Sequence, residues 1–205
     1  GVVECVKLWA DKKNINLTGK TYIIQGFGNV GSYTAILLSQ LGMICIGVAD
    51  HTRCIKSEEG FNVYKLKEHC SKHRTLEGYN YGENVDKEDF FKQECFLIIP
   101  AAKELVICGD EGSELNCSLV VEAANGPIDL EAENKILEKN IEIIPDILAN
   151  SGGVVVSYFE WLQNKRSEYW KENVVLEKLK DKMKDTFNDA YNKHLTDGVS
   201  LRTSC

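Results

Sequence analysis

Thr21-Tyr-Ile-Ile-Gln-Gly-Phe-Gly-Asn-Val-Gly31 decides how this chain is read. An apolar run ends in Gly26-x-Gly28-x-x-Gly31 and opens directly into the helical pattern of Ser32 to Leu41. Strand, glycine turn and helix in that order make a common glycine pattern into a dinucleotide-binding fingerprint. Gly26 permits the tight turn out of the strand, and Gly28 lets a pyrophosphate approach the backbone without meeting a Cβ. Gly31 lets the helix pack close to the strand. The helix start offers unpaired N–H groups and the positive end of its dipole to phosphates.

Working outward, Tyr22–Gln25 and Asn29–Leu41 form a first βα unit, closed by Gly42 past the last helical turn. Residues 4–13 read as an amphipathic helix, and Asn14 to Lys20 as the turn into the strand. Ile44-Cys-Ile-Gly-Val-Ala49 is a nearly continuous apolar run, the mark of a strand buried on both faces. It stops at Asp50. The segment His51 to Glu94 is polar, with a helix predicted over Val63–His73 and mixed charges around Asn84–Gln93. Apolar runs return at Phe96–Ile99, Leu119–Val121 and Ile141–Ile144, with helical spacing over Leu130–Lys139.

Strands alternating with helices predict an α/β fold: Rossmann-like and doubly wound, with a mainly parallel sheet, helices on both faces and right-handed crossovers. After Ser151 the pattern is helical. Val154–Gln163 is one helix, and Val175, Leu179, Met183, Phe187, Ala190 and Tyr191 lay an apolar stripe along another. The expected division is a dinucleotide-binding domain over residues 1–163 and a C-terminal helical return over 164–205 that packs on it.

A chain of 205 residues, 43% hydrophobic and 27% charged, is an ordinary globular protein long enough to bury a core. Its net charge of -7 argues against nucleic-acid binding, which needs a basic face. No apolar run approaches the ~18 residues that span a bilayer, so no membrane partner is expected. No basic-then-apolar leader precedes Gly1. The eight cysteines include no CxxC pair and read as reduced thiols of an intracellular, cytoplasmic protein. A mitochondrial matrix location stays open if a segment upstream of Gly1 is missing.

Asp50 stands where an acidic residue discriminates between cofactors, 24 residues past Gly26. A carboxylate there accepts hydrogen bonds from both ribose hydroxyls of NAD and repels the 2′-phosphate of NADP. Arg53 could instead receive that phosphate, or be a solvated loop charge. NAD is favoured, with NADP open.

Six blocks follow in order: Gly19-Lys-Thr, Gln25 to Gly31, Ile98-Ile-Pro-Ala-Ala102, Ala124-Asn-Gly-Pro127, Ile144-Pro-Asp146, and Asn150 through Trp161. Together they resemble the C-terminal, dinucleotide-binding domain of the hexameric glutamate dehydrogenases, within the Glu/Leu/Phe/Val dehydrogenase family. The resemblance covers nearly the whole chain, and its last block is far more specific than the glycine fingerprint. It implies that Gly26, Gly28, Asn29, Val30 and Gly31 hold the pyrophosphate and Asp50 the adenosine ribose. Ala101 and Ala102 would line the cofactor cleft. Asn125 would approach the nicotinamide, and Asn150 the nicotinamide ribose or the substrate. Val154 and Ser157 would face the side chain of a bound amino acid.

A serine in the place of Ser157 hydrogen-bonds the distal carboxylate in the glutamate enzymes, so it points to L-glutamate and 2-oxoglutarate. A buried hydroxyl rewards a polar partner over an apolar one.

Taken singly, each of these residues has a plainer alternative. Asn125-Gly-Pro127 is a good turn without a ligand. Asn150 with Ser151 could cap the helix near Gly152. Ser157 could bond back to its own helix backbone. His69 and His73 sit four apart on a predicted helix, yet flanking Lys67, Lys72 and Arg74 would repel a metal, and a solvated helix face is favoured. Glu160 and Trp161 read as packing and capping groups. No nucleophile triad stands out, and no residue of this chain is assigned a catalytic role.

In the resembled family the activated lysine, the proton-shuttling aspartate and further substrate-binding lysines lie in an N-terminal substrate domain. That domain is not in this sequence, and Leu201-Arg-Thr203 begins a family motif whose following helix is replaced by Ser204-Cys205. The expectation is a piece of a homo-hexameric glutamate dehydrogenase, inactive alone. The alternatives are a non-catalytic NAD-binding regulator or a dehydrogenase of an apolar amino acid.

Overall fold

In the structure, a computed structural model that describes residues 1–205, the alternation of apolar runs and helical stripes becomes an ordered series of elements. These are α1 (Val2–Lys13), β1 (Thr21–Gln25), α2 (Asn29–Gln40), β2 (Ile44–Ala49), β3 (Cys54–Lys56), α3 (Val63–His73) and β4 (Glu83–Val85). After a 3-10 turn at Lys87–Lys92 come β5 (Leu97–Pro100), α4 (Glu111–Glu114), β6 (Leu119–Val121), α5 (Leu130–Glu138) and β7 (Glu142–Ile144). The chain ends in α6 (Asp146–Ala149), α7 (Gly152–Arg166), α8 (Glu172–Asp197) and α9 (Leu201–Ser204).

The strands form one seven-stranded sheet in the order β4-β3-β2-β1-β5-β6-β7. β1 pairs in parallel with β2 on one side and β5 on the other, and β5 pairs in parallel with β6. The direction of winding therefore reverses at β1, which places a crevice outside the carboxyl ends of β1 and β5. Successive side chains on β1 serve opposite faces, as the pleat requires. The buried Tyr22 hydroxyl donates to the Ala35 carbonyl of α2 at 3.0 Å. Ile23 instead joins Ile98, Val120 and the α5 residues Ala132 and Ile136 in the main apolar cluster. Helices thus cover both faces, and the sheet is the expected mainly parallel, Rossmann-like one.

The polar segment after Asp50 departs from expectation. β3 runs antiparallel to β2, and β4 antiparallel to β3, extending the sheet by two short strands. Each has only three residues, too few for a period of two to show in the sequence.

Two compact units emerge: residues 16–143, which carry the sheet, and residues 1–15 with 144–205. The second unit is helical and discontinuous in sequence, because α1 belongs with the C-terminal helices. Cys5, Val6, Trp9 and Ala10 of α1 are buried, as are Met183, Phe187, Ala190 and Tyr191 of α8. Those four α8 residues belong to the stripe read from the sequence, and the rings of Phe187 and Tyr191 stack at 5.6 Å. Arg202 bridges to Asp146 at 3.1 Å within the same unit. The expected division after residue 163 falls inside α7, all of which lies in the second unit. All eight cysteines are unbridged. No helix is long and apolar enough to cross a membrane.

Candidate cofactor-binding site

The three glycines of the turn stand in different surroundings. Gly26 (φ +98°) is in a backbone region that side chains avoid, and a Cβ there would lie 2.6 Å from the Ala102 nitrogen and 2.7 Å from the Ala101 carbonyl carbon. A Cβ on Gly31 would overlap the carbonyl oxygen of Gly26. Both glycines are buried and exist to let backbone meet backbone. Gly28 is different. It is exposed, has an ordinary extended backbone, and a Cβ there would meet nothing within 4 Å. Asn29 and Val30 are exposed beside it.

Gly28 is also the N-cap of α2. No side chain caps this helix, and no acidic residue occupies its first turn. The positive end of the dipole and its leading N–H groups therefore face open space, which suits an anion. Ala101 and Ala102 meet this turn directly, since the Ala101 N–H donates to the Gln25 carbonyl at 2.7 Å. Gln25 itself ends β1 with a buried Oε1 that has no hydrogen-bond partner in the chain. Asn125 lies in a neighbouring loop. Ala123 and Ala124 donate to the Pro100 carbonyl, and Leu105 donates to that of Gly126, tying the loops after β5 and β6 together.

At the end of β2 the Asp50 carboxylate is tightly held. Its Oδ1 accepts from the Thr52 N–H at 2.7 Å, the Thr52 hydroxyl at 2.6 Å and the Arg53 N–H at 3.1 Å. Its Oδ2 accepts from the Leu76 N–H at 2.6 Å. Burial pushes the Asp50 carboxyl up. The Thr52 hydroxyl and the backbone N–H groups of Thr52, Leu76 and Arg53 outweigh that and hold it below the usual carboxylate range. Asp50 is therefore ionised at neutral pH.

The Arg53 guanidinium takes no part in this cage. It donates to the Tyr79 carbonyl at 3.1 Å and to Asn84 Oδ1 at 2.6 Å. Sequence reasoning missed Thr52, Leu76, Tyr79 and Asn84 altogether. Only β3 and β4 bring Asn84 opposite the strand that follows Arg53, and those strands left no periodic signal.

The remaining expected residues belong to the helical unit. Asn150 is the C-cap of α6, its N–H donating to the Asp146 carbonyl. The N-cap place of α7 falls to Ser151, whose hydroxyl turns back to the Leu148 carbonyl at 2.8 Å rather than capping. Val154 is 73% exposed, on the same side of α7 as Tyr158 and Trp161, whose rings stack at 5.9 Å. Ser157 is exposed, and its hydroxyl makes no hydrogen bond within the chain, so it does not bond back to its own helix. Elsewhere, His69 Nε2 lies 2.9 Å from the Glu77 carbonyl oxygen, with its ring 4.5 Å from that of His73.

The sequence model of the Glutamate/Leucine/Phenylalanine/Valine dehydrogenase family matches residues 1–205. A glutamate dehydrogenase of Thermotoga maritima is 38% identical over 205 residues, which is 100% of this chain and 49% of the relative. An NAD-specific glutamate dehydrogenase of Staphylococcus aureus (strain COL) is 35% identical over 202 residues, 98% of this chain and 49% of the relative. The crystal structure of a hetero-hexameric glutamate dehydrogenase from Thermus thermophilus, in its Leu-bound form, superposes with a TM-score of 0.92 at 26% identity. That match covers 99% of this chain and 48% of the other. The chain thus spans about half the length of the curated relatives it matches.

Proposed function

The chain belongs to the Glutamate/Leucine/Phenylalanine/Valine dehydrogenase family, and from that premise we propose that it is the NAD-binding half of a glutamate dehydrogenase. The observation that carries the proposal is the open glycine turn at the start of α2, one strand away from an ionised Asp50. The cradle fits the cofactor: Gly28 keeps a space that any side chain would fill. The leading N–H groups of α2 bind the pyrophosphate there, over Gly26, Gly28, Asn29, Val30 and Gly31. Oδ2 of Asp50 accepts from the adenosine ribose, and the Asp50 charge disfavours a 2′-phosphate, so NAD is preferred over NADP. Ala101, Ala102 and Asn125 border the nicotinamide end. Bound NAD would supply the hydride acceptor for oxidation at the amino acid Cα.

Asn150, Val154 and Ser157 are proposed to meet the substrate. The Ser157 hydroxyl, uncommitted within the chain, supports a polar side chain, hence L-glutamate going to 2-oxoglutarate and ammonia. Deprotonating the amine and adding water to the iminium need further groups. By the family resemblance these lie in the half of the relatives that this chain does not cover. The parent assembly is proposed to be a homo-hexamer. Eight unbridged cysteines support a cytoplasmic setting.

The test is a fluorescence titration of the 205-residue chain with NADH, which should saturate, alongside an assay for glutamate-dependent NAD reduction, which should show none. Unchanged NADH binding in Gly28→Val would overturn the cofactor assignment. Enzyme-like turnover by this chain alone would overturn the division of labour.

A further inference from the structure

We infer that Asn84 is a specificity-determining residue: it is a latch that engages the Arg53 guanidinium, which would otherwise be free to meet a cofactor 2′-phosphate. The inference rests on the proposal that this chain binds NAD at the end of β2. Arg53 follows Asp50 by three residues and is the nearest cation in sequence to that carboxylate. An arginine so placed is what a 2′-phosphate needs, because its planar fork pairs with phosphate oxygens in a bidentate manner. Here both terminal nitrogens of the fork are already engaged, through two of its five N–H donors. One terminal nitrogen donates to the Tyr79 carbonyl at 3.1 Å and the other to Asn84 Oδ1 at 2.6 Å.

Of these two acceptors, only Asn84 is a side chain and so open to substitution. The β-ladder fixes it in place: Asn84 on β4 pairs with Ile55 on β3, two residues beyond Arg53. The segment that supplies the other acceptor is pinned too. Leu76 donates to Asp50 Oδ2, and the His69 ring packs edge-on against Tyr79 at 5.3 Å.

The consequence is a division between two devices. Asp50 repels a 2′-phosphate by charge, while Asn84 engages the cation nearest to it in sequence. Turning the fork for a bidentate grip on the phosphate breaks the Asn84 bond, a cost that NAD never incurs. Removing the acceptor frees half of the fork and lowers that cost.

The experiment compares NADH and NADPH binding to the 205-residue chain by fluorescence titration, for the parent and for Asn84→Ala, Asn84→Asp and Asn84→Ala with Arg53→Ala. In Asn84→Ala, NADPH should bind about tenfold more tightly than in the parent, ~1.4 kcal/mol, with NADH affinity unchanged. Asn84→Asp keeps an acceptor for the fork and should show no gain. The double substitution should lose the gain, since the effect passes through Arg53. A parent-like NADPH affinity in Asn84→Ala, with NADH binding intact, overturns the latch and leaves the NAD assignment standing. Equal gains with and without Arg53 overturn it as well. Failure of the parent to bind NADH overturns the assignment, and the latch with it.

Discussion

Gly31 lies directly beneath Gly26, so close that a Cβ on Gly31 would overlap the Gly26 carbonyl oxygen. Gly28 and Gly31, three residues apart, therefore answer to different forces. Gly31→Ala must push the first turn of α2 off the end of β1. We expect a loss of about 3 kcal/mol in stability, the upper end of overpacking that moves backbone. Gly28→Val should leave the thermal midpoint nearly unchanged, because its backbone is extended and the space is open, yet NADH binding should be lost. Thermal unfolding and NADH titration on the two variants separate the roles.

Asp50 gives the site a pH signature. Its carboxyl is held below the ordinary range when folded, despite burial pushing the other way, so its contribution to stability is full above the unfolded value of ~3.9 and fades as pH falls through the folded value. Asp50→Asn replaces one accepting oxygen by an amide that faces N–H donors. It should cost about 1 kcal/mol at neutral pH, below the usual range for charged hydrogen bonds because the group is partly solvated. The difference between parent and variant should shrink below pH 4. Urea unfolding at pH 7 and pH 3.5 measures it.

The sheet, the glycine turn and the carboxylate that closes β2 were legible because each rests on a strong local rule. β1, β2, β5 and β6 are buried strands and so read as apolar runs. α2 begins where glycines end, and Asp50 closes β2. What surrounds Asp50 was not legible. Thr52 and Leu76 cage the carboxylate through backbone N–H groups, which no side-chain pattern reports. Asn84 reaches Arg53 from 31 residues away across a ladder of three-residue strands. The pairing of α1 with α8 in one unit likewise depends on contacts far apart in sequence. Ser157 was legible as a serine in a family block, while the freedom of its hydroxyl belongs to the folded helix alone.

Leu105 carries a local strain that can be relieved. Its φ is +51° although it has a side chain, and that side chain is 59% exposed, so little burial repays the conformation. Its N–H donates to the Gly126 carbonyl, which joins the loops after β5 and β6. Leu105→Gly keeps that bond and removes the clash of a left-handed side chain, at some cost in unfolded-chain entropy. A net gain of about 0.5–1 kcal/mol is expected, and Leu105→Ala should give none of it. Equal stability of the glycine and alanine variants would show that the turn is not strained.

Tyr22 places a phenol inside the fold where an apolar ring would satisfy the periodicity. It is fully buried, and burial pushes its hydroxyl pKa well above the usual tyrosine range, so the group stays neutral and serves as a donor. The bond to the Ala35 carbonyl fixes α2 against β1 two turns after the glycine cradle. Tyr22→Phe removes that one bond while keeping the ring, and should cost about 1 kcal/mol. If the bond also sets how α2 presents its leading N–H groups, NADH affinity should fall together with stability. If it only adds stability, affinity measured well below the unfolding temperature should match the parent. The helix already has many other contacts along its length, with Ala35 and Leu38 fully buried, so the second outcome is the one we expect.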